Sequence, residues 1–142
     1  MNENNSDAIY EFGKEIIIEA RDGVIRGLDD FMNGIAIGRC EKKFLEEFKK
    51  INFDEQQQKI IKLMVISEID HLIHRLFVNF DESLGKYSII TKDKKGRPFD
   101  IVTESDGLPY GYFEFVDEFS KYKASSDVIN EDISKTNWTL EK

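Results

Sequence analysis

The residues with the clearest metal-binding chemistry lie in the middle of the chain, where Glu68, His71 and His74 follow one another at spacings of three. Side chains three positions apart lie on one face of an α-helix, and Glu-x-x-His is the spacing found in carboxylate-bridged metal bundles. A di-metal bundle needs a second such motif, and the chain holds only two histidines. Two interpretations stay open: a mononuclear site formed by both histidines with Glu68 or Asp70, or histidines that bind no metal.

Nucleophilic and phosphate-binding chemistry have weaker support in the sequence. Cys40 is the only cysteine, and it falls on the apolar side of a predicted helix, where a small core residue is expected. The chain has no Gly-x-Ser-x-Gly elbow, and its glycine-framed segment NGIAIG (33–38) lacks the lysine of a phosphate-binding loop. We therefore predict no catalytic residue, no cofactor and no enzyme activity.

A second group of candidates lies after residue 99, where carboxylates and aromatic rings are interleaved. Aromatic rings rimmed by carboxylates suit a protein interface, whereas Asp-Gly segments mostly cap turns. Three interpretations stay open: Ca²⁺ binding by the loop acids, turn capping with the rings covering the sheet, or contact with a basic partner. We predict contact with a partner protein, through Asp100, Glu104, Asp106, Tyr110, Tyr112 and Glu114.

The composition narrows the class of partner. The 142 residues carry a formal charge of −8, and phosphate contact needs clustered lysine and arginine, so neither nucleic acid nor a membrane surface is expected as a partner. No apolar run approaches the roughly 20 residues that cross a bilayer, and the start of the chain lacks the basic and apolar regions of a signal peptide. The single cysteine cannot form an internal disulfide, which makes the cytoplasm the expected compartment. A basic protein partner is compatible with this charge.

The element expected to position these candidates is a long helix over 54–84, a stretch without glycine or proline. Asp54 is a suitable N-cap, and Gln57 completes a capping box. An apolar stripe with spacings of three and four predicts the buried face: Ile61, Val65, Ile69, Leu72, Leu76 and Phe80, widened by Ile66, Ile73, Phe77 and Leu84. The opposite face carries Ile60, Leu63, Met64, Asp70 and His71. A homodimer that packs through Ile60, Met64 and His71 is an alternative.

The N-terminal half predicts two further helices, and short links make all three antiparallel neighbours. The first is expected from about residue 6 to 32, with a kink at Gly23. The next is expected over 39–51, with Phe44 and Ile51 among its inward residues. These patterns predict an N-terminal bundle of three main helices.

In the C-terminal half the sequence pattern changes from helical spacing to alternation, which predicts a β-hairpin over 87–104 around a turn at 93–96. Residues 110–122 are predicted as a short helix rather than a third strand. The whole chain, 1–142, is thus expected to form a single α+β domain. Its ends, 1–6 and about 124–142, are candidates for mobility, with docking through Trp138 as the alternative for the C-terminal end.

Two segments carry a resemblance to a known class of proteins. The helix with IDHLIHRLF (69–77), followed by a hairpin and SDGLPYGYFEFVDEFSKY (105–122), resembles small bacterial immunity proteins, which are encoded beside polymorphic toxins. The resemblance covers about residues 66–122 and brings no catalytic motif. It implies an acidic protein that occupies a toxin's active surface. The expected function is therefore non-catalytic binding that neutralises a basic partner protein.

Overall fold

The computed structural model describes residues 3–36, 38–105, 107–130, 133 and 138–142, without the side chains of Glu3, Asn4 and Cys40. The predicted α+β class is confirmed, because helices are followed by an antiparallel hairpin and short C-terminal helices. The prediction that Cys40 is a core residue concerns a side chain outside the described part.

The first helical arm runs from Glu3 to Met32 and contains a π-helical segment. Helix α1 covers Glu3–Glu15, the π segment covers Ile16–Arg21, and α2 covers Asp22–Met32. Helix α2 continues through Gly23, where a kink was predicted, and the departure from α-helical hydrogen bonding is the π segment that ends two residues earlier. A π turn inserts an extra residue into the helix and so rotates the next helical turns about the axis. In this chain it ends at Arg21, which is fully buried.

Helix α3 covers Arg39–Ile51 and packs at one end of the arm. Phe48 lies between two aromatic rings, 5.4 Å from Phe31 and 5.0 Å from Phe53 between centroids. The predicted inward residues Phe44 and Ile51 are wrong, because both side chains are exposed, Phe44 by 68%. Helix α3 therefore leaves two apolar side chains facing solvent.

Helix α4 covers Glu55–Asp81 without a break, close to the predicted bounds. The predicted capping box is confirmed: Asp54 Oδ1 accepts from the Gln57 backbone N–H at 2.8 Å, and Gln57 Oε1 accepts from the Asp54 N–H at 3.0 Å. Leu84, predicted on the helix, lies beyond its end and is exposed.

The buried face of α4 differs from the predicted stripe. Its buried residues are Leu63, Ile66, Asp70 and Phe77, so Leu63 and Asp70 were assigned to the wrong face. Leu72, predicted to be buried, is 70% exposed, and Leu76 is exposed as well. The physical reason is that Asp70 meets the buried guanidinium of Arg21, which turns this polar position inward.

The first arm and α4 form an antiparallel pair. Arg21 bonds to Asp70 near the middle of both, while Asp29 pairs with Lys62 at 2.6 Å toward one end. At the other end the rings of Phe12 and Phe77 lie 6.1 Å apart. Residue numbers therefore rise along one helix as they fall along the other.

The hairpin pairs β1, Ile90–Lys92, with β2, Pro98–Asp100, and Thr91 lies opposite Phe99. The prediction of a hairpin is confirmed, but both strands are shorter than expected, since β1 begins at Ile90 rather than at residue 87 and β2 ends at Asp100. Asp100 Oδ1 accepts from the Val102 N–H at 3.0 Å and begins the helical turn α5, Ile101–Glu104, where a strand was predicted.

The C-terminal part packs helices against the antiparallel pair. Helix α6 covers Leu108–Phe119, which confirms the prediction of a helix over this segment, and α7 covers Ser125–Asn130. Of the described C-terminal residues, Trp138 is 3% exposed, and the Lys123 N–H donates to the Leu140 carbonyl at 2.8 Å. The end of the chain thus docks through Trp138.

Candidate functional site: a buried ionic brace and an acidic face

The interior holds an ionic cluster centred on Arg21. The Arg21 guanidinium donates to both carboxylate oxygens of Asp70, with Nε–Oδ1 at 2.6 Å and Nη2–Oδ2 at 3.3 Å. Nη1 donates to Asp22 Oδ1 at 3.2 Å and to Ser120 Oγ at 2.7 Å, and Nη2 also donates to the Lys123 carbonyl at 3.0 Å. Burial lowers the pKa of Arg21, but the hydrogen bond and charge of Asp70 outweigh burial and raise it, so the guanidinium stays charged.

Tyr112 completes this cluster from α6. Its hydroxyl donates to Asp70 Oδ1 at 2.8 Å, and its side chain is fully buried. Burial, followed by the charge of Asp70, raises the pKa of Tyr112 well above its ordinary value. The prediction that Tyr112 contacts a partner is therefore wrong. A buried tyrosine needs a partner for its hydroxyl, and Asp70 provides it.

Both aspartates also hold the backbone beyond the end of α6. Asp22 accepts from Ser120 Oγ at 2.6 Å and from the Lys121 N–H at 3.0 Å. Asp70 accepts from the Ser125 N–H at 3.1 Å. We call Arg21, Asp22, Asp70, Tyr112 and Ser120 the ionic brace.

The geometry of the ionic brace fits a structural role rather than a catalytic one. All of its side chains are buried, so a substrate in solution does not reach them. Each of its charged groups has hydrogen-bond partners, as buried charges require. The brace joins both helices of the antiparallel pair to α6 and to residues 120–125, and it thereby fixes the orientation of α6.

The outward side of α6 is acidic and aromatic. Tyr110 is 82% exposed, and Glu114, Asp117 and Glu118 are exposed at helical spacing from it. Helix α6 contains no lysine or arginine between Leu108 and Phe119. Of the predicted interface residues, Tyr110 and Glu114 thus lie on one face, four residues apart.

Helix α1 extends this face with Tyr10, which the sequence did not indicate. The Tyr10 hydroxyl donates to Glu118 Oε1 at 2.6 Å, and its ring meets the Phe119 ring edge-on at 4.7 Å. The hydrogen bond to Glu118 is the main cause that raises the pKa of Tyr10. The α6 face consists of Tyr10, Tyr110, Glu114, Asp117 and Glu118. A single tyrosine in the middle of α1 gives no sequence signal for a contact with residues more than 100 positions away.

The two helices can approach because α1 has glycine at the crossing. A Cβ atom added at Gly13 would lie 2.6 Å from the ring of Phe115. Beside the crossing runs a groove of about 360 Å³, lined by Ile9, Ser105, Gly107, Leu108, Tyr110, Gly111, Glu114 and Phe115. Its apolar floor and its Tyr110–Glu114 rim give the α6 face a concave edge.

The other predicted interface residues have different surroundings. Asp100 Oδ1 accepts from the backbone N–H groups of Ile89 at 3.1 Å and Val102 at 3.0 Å, as in the turn-capping interpretation. Glu104 Oε2 accepts from Asn5 Nδ2 at 3.1 Å and is half-buried. The prediction for Asp106 lies outside the described residues. The structure therefore brings together Tyr110 and Glu114 and engages Asp100 in the fold.

The alternative metal set does not come together. Glu68 and His71 are exposed on α4, and the ring of His74 lies 5.6 Å from that of Phe113. Within the described ranges, no three His, Cys, Asp or Glu side chains lie close enough to hold a metal ion. Asp70, the other acid considered, is occupied by Arg21. The structure thus contradicts a site formed by Glu68, His71 and His74.

Comparison of the chain with protein-family models, curated proteins and solved structures found no match. Over the described part of the chain, no helix combines the length and the apolar character needed to span a bilayer. Function is therefore inferred from the residues themselves.

Proposed function

We propose that this protein is a non-catalytic binding module whose α6 face contacts a basic partner protein. The observation that carries the proposal is the alignment of Tyr110 with Glu114, Asp117 and Glu118 on the solvent side of a helix without basic residues. Exposed carboxylates steer a basic partner toward the surface, and an exposed aromatic side chain buries a large area on contact.

The ionic brace supports this proposal because it makes α6 a rigid platform. Tyr112 and Ser120, at the middle and end of α6, are tied to Asp70 and Asp22 by hydrogen bonds of 2.8 and 2.6 Å. A surface that is ordered before binding loses less conformational entropy when the complex forms. The hydrogen bonds on the buried side of α6 thus favour tight binding, because they keep its exposed side ordered before a partner arrives.

The proposed partner class rests on charge and on the resemblance to immunity proteins. The chain carries a net charge of −8, and long-range attraction would raise the association rate of a basic protein. Occupation of a basic active surface would neutralise the partner without any chemistry on this chain. We propose this immunity-type neutralisation as the biological role.

The test is affinity capture from the native organism and then binding kinetics with the purified captured protein. The charge reversals Glu114→Lys and Asp117→Lys together should lower the association rate at least about tenfold and flatten its salt dependence. Tyr110→Ala should act mainly on the dissociation rate and cost at least about tenfold in affinity, as interface aromatics do.

A matched control carries the same change in charge elsewhere. Glu46 on α3 and Asp127 on α7 are exposed, and Glu46→Lys with Asp127→Lys gives the same net charge as the double variant on α6. This control should bind like the wild-type chain, apart from a small loss of long-range steering. Equal loss of binding in both double variants would contradict the assignment to the α6 face and leave only net charge as the cause.

A further inference from the structure

The outer side of α4 is unusually apolar for a surface that faces solvent. Met64, Leu72 and Leu76 are all exposed there, on the side away from the buried residues Ile66 and Phe77. We call Met64, Glu68, Leu72, Arg75 and Leu76 the α4 outer face. Their spacings of three and four place them along one side of the helix, in the manner of a helix–helix seam.

Further apolar surface adjoins this face. Val24, Ile35 and Phe44 are exposed and line a groove of about 490 Å³ that also contacts Val65 of α4. Contiguous exposed apolar surface of this kind marks an interaction site more often than isolated residues do. The groove adjoins the α4 outer face at Val65, and the outer face itself runs from Met64 to Leu76.

Two charged residues on the α4 outer face indicate which kind of partner would fit it. Glu68 and Arg75 are exposed, and within the described part of the chain neither side chain has a hydrogen bond or an ion pair. They are seven residues apart, which is about 10.5 Å along the helix axis, so they do not reach each other in one chain. Seven residues are also two turns, so both point to the same side.

We propose that a second copy of this chain packs on the α4 outer face, with the two α4 helices antiparallel. A two-fold axis between residues 71 and 72 places Glu68 of each copy opposite Arg75 of the other, and it brings Leu72 against its own symmetry mate. A parallel arrangement in register would instead oppose Glu68 with Glu68. The charge order along the helix therefore selects the antiparallel, isologous dimer.

The same axis also accounts for the adjoining groove. In the antiparallel arrangement, residues 76–80 of the second copy lie opposite residues 63–67 of the first. The groove beside Val65 then faces the second copy's Leu76 instead of water. Apolar surface of both copies is covered in one contact, as a stable homodimer interface requires.

The test is sedimentation equilibrium of the full chain across the micromolar range. The wild-type chain should be a dimer with a measurable dissociation constant. Glu68→Arg and Arg75→Glu should each raise that constant at least about tenfold, because each one opposes two like-charged pairs across the axis. The combination of both changes should restore the constant to within about threefold of the wild-type value.

Controls separate this pairing from general effects of charge and folding. Asp127→Arg changes the net charge as Glu68→Arg does, and it lies on α7, which packs on the core side of α4, so it should leave dimerisation unchanged. Leu72→Asp should yield a folded monomer by circular dichroism. A wild-type chain that remains monomeric overturns the proposal, and so does a double reversal that fails to restore the dimer.

Discussion

Replacement of Asp70 by asparagine tests the ionic brace most severely, because it keeps the size of the side chain and removes only its charge. Asp70 accepts four hydrogen bonds: two from the Arg21 guanidinium, one from the Tyr112 hydroxyl and one from the Ser125 N–H. Asparagine has one carbonyl oxygen to accept them. If that oxygen replaces Oδ1, the amide nitrogen takes the place of Oδ2, where it faces the Arg21 Nη2 and Ser125 N–H donors and cannot accept from them.

The expected loss of stability can be worked out from these contacts. If the carbonyl oxygen of asparagine replaces Oδ1, it keeps the Arg21 Nε and Tyr112 bonds, and the bonds from Arg21 Nη2 and Ser125 are lost. Each hydrogen bond to a charged group contributes about 1.5–3 kcal/mol. Removal of one partner from a buried ion pair costs about 3–5 kcal/mol, which agrees with the sum of the two bonds. We expect Asp70→Asn to lower the free energy of unfolding by about 3–5 kcal/mol.

The assay is urea denaturation monitored by two signals. Far-UV circular dichroism reports the helices, and the fluorescence of Trp138, the only tryptophan, reports the docked C-terminal end. Both midpoints should fall together, since the brace joins the helical pair to the C-terminal part. Asp81→Asn, at the exposed end of the same helix, should change stability by less than about 0.5 kcal/mol. A loss below about 1 kcal/mol for Asp70→Asn would refute the view that the brace anchors α6.

Two further predictions concern the glycine crossing and alkaline stability. Gly13→Ala should destabilise the protein by about 1 kcal/mol or more, because the added carbon meets the ring of Phe115. In Gly27→Ala the added carbon meets nothing within 4 Å, so this change should stabilise the protein by about 1 kcal/mol. The measurement is thermal unfolding, and a shift of both variants in the same direction would contradict the prediction. Burial and the nearby Asp29 raise the pKa of Tyr122 to about 12, so the folded state favours the protonated phenol. Stability should therefore be intact below about pH 10 and fall as the pH rises toward 12, and Tyr122→Phe should reduce this loss in denaturation curves recorded against pH.

Local sequence signals were enough to locate α4 and its start. Asp54 and Gln57 are three residues apart, so the capping box that they form depends only on nearby residues. The helical character of α6 is likewise indicated by Pro109 in the first turn and by the aromatic spacing after it.

The buried face of α4 could not be read from its own residues. Its sequence carries apolar side chains on nearly every side, and the choice among them depends on Arg21, which is 49 positions away along the chain. The π turn that brings Arg21 inward has no signal in a periodicity analysis based on 3.6 residues per turn. Leu72 and Leu76, predicted to be buried, consequently face solvent.

Some candidate binding residues are exposed and others are buried, and the sequence could not separate them for a similar reason. Tyr110 and Tyr112 are two positions apart on α6 and so point in different directions, one to solvent and one to Asp70. Their sequence neighbourhoods are alike, and only the position of the buried carboxylate distinguishes them. Tyr10 joins the α6 face through a hydrogen bond to Glu118 that spans 108 positions, which no local pattern indicates.

The most direct test of the proposed function is amide hydrogen exchange of this chain with and without its captured partner. If the α6 face is the binding surface, protection should increase in α6, over Leu108–Phe119, and around Tyr10 in α1, while α3 exchanges as in the free protein. Increased protection on α3, with α6 unchanged, would contradict the proposal that α6 binds the partner.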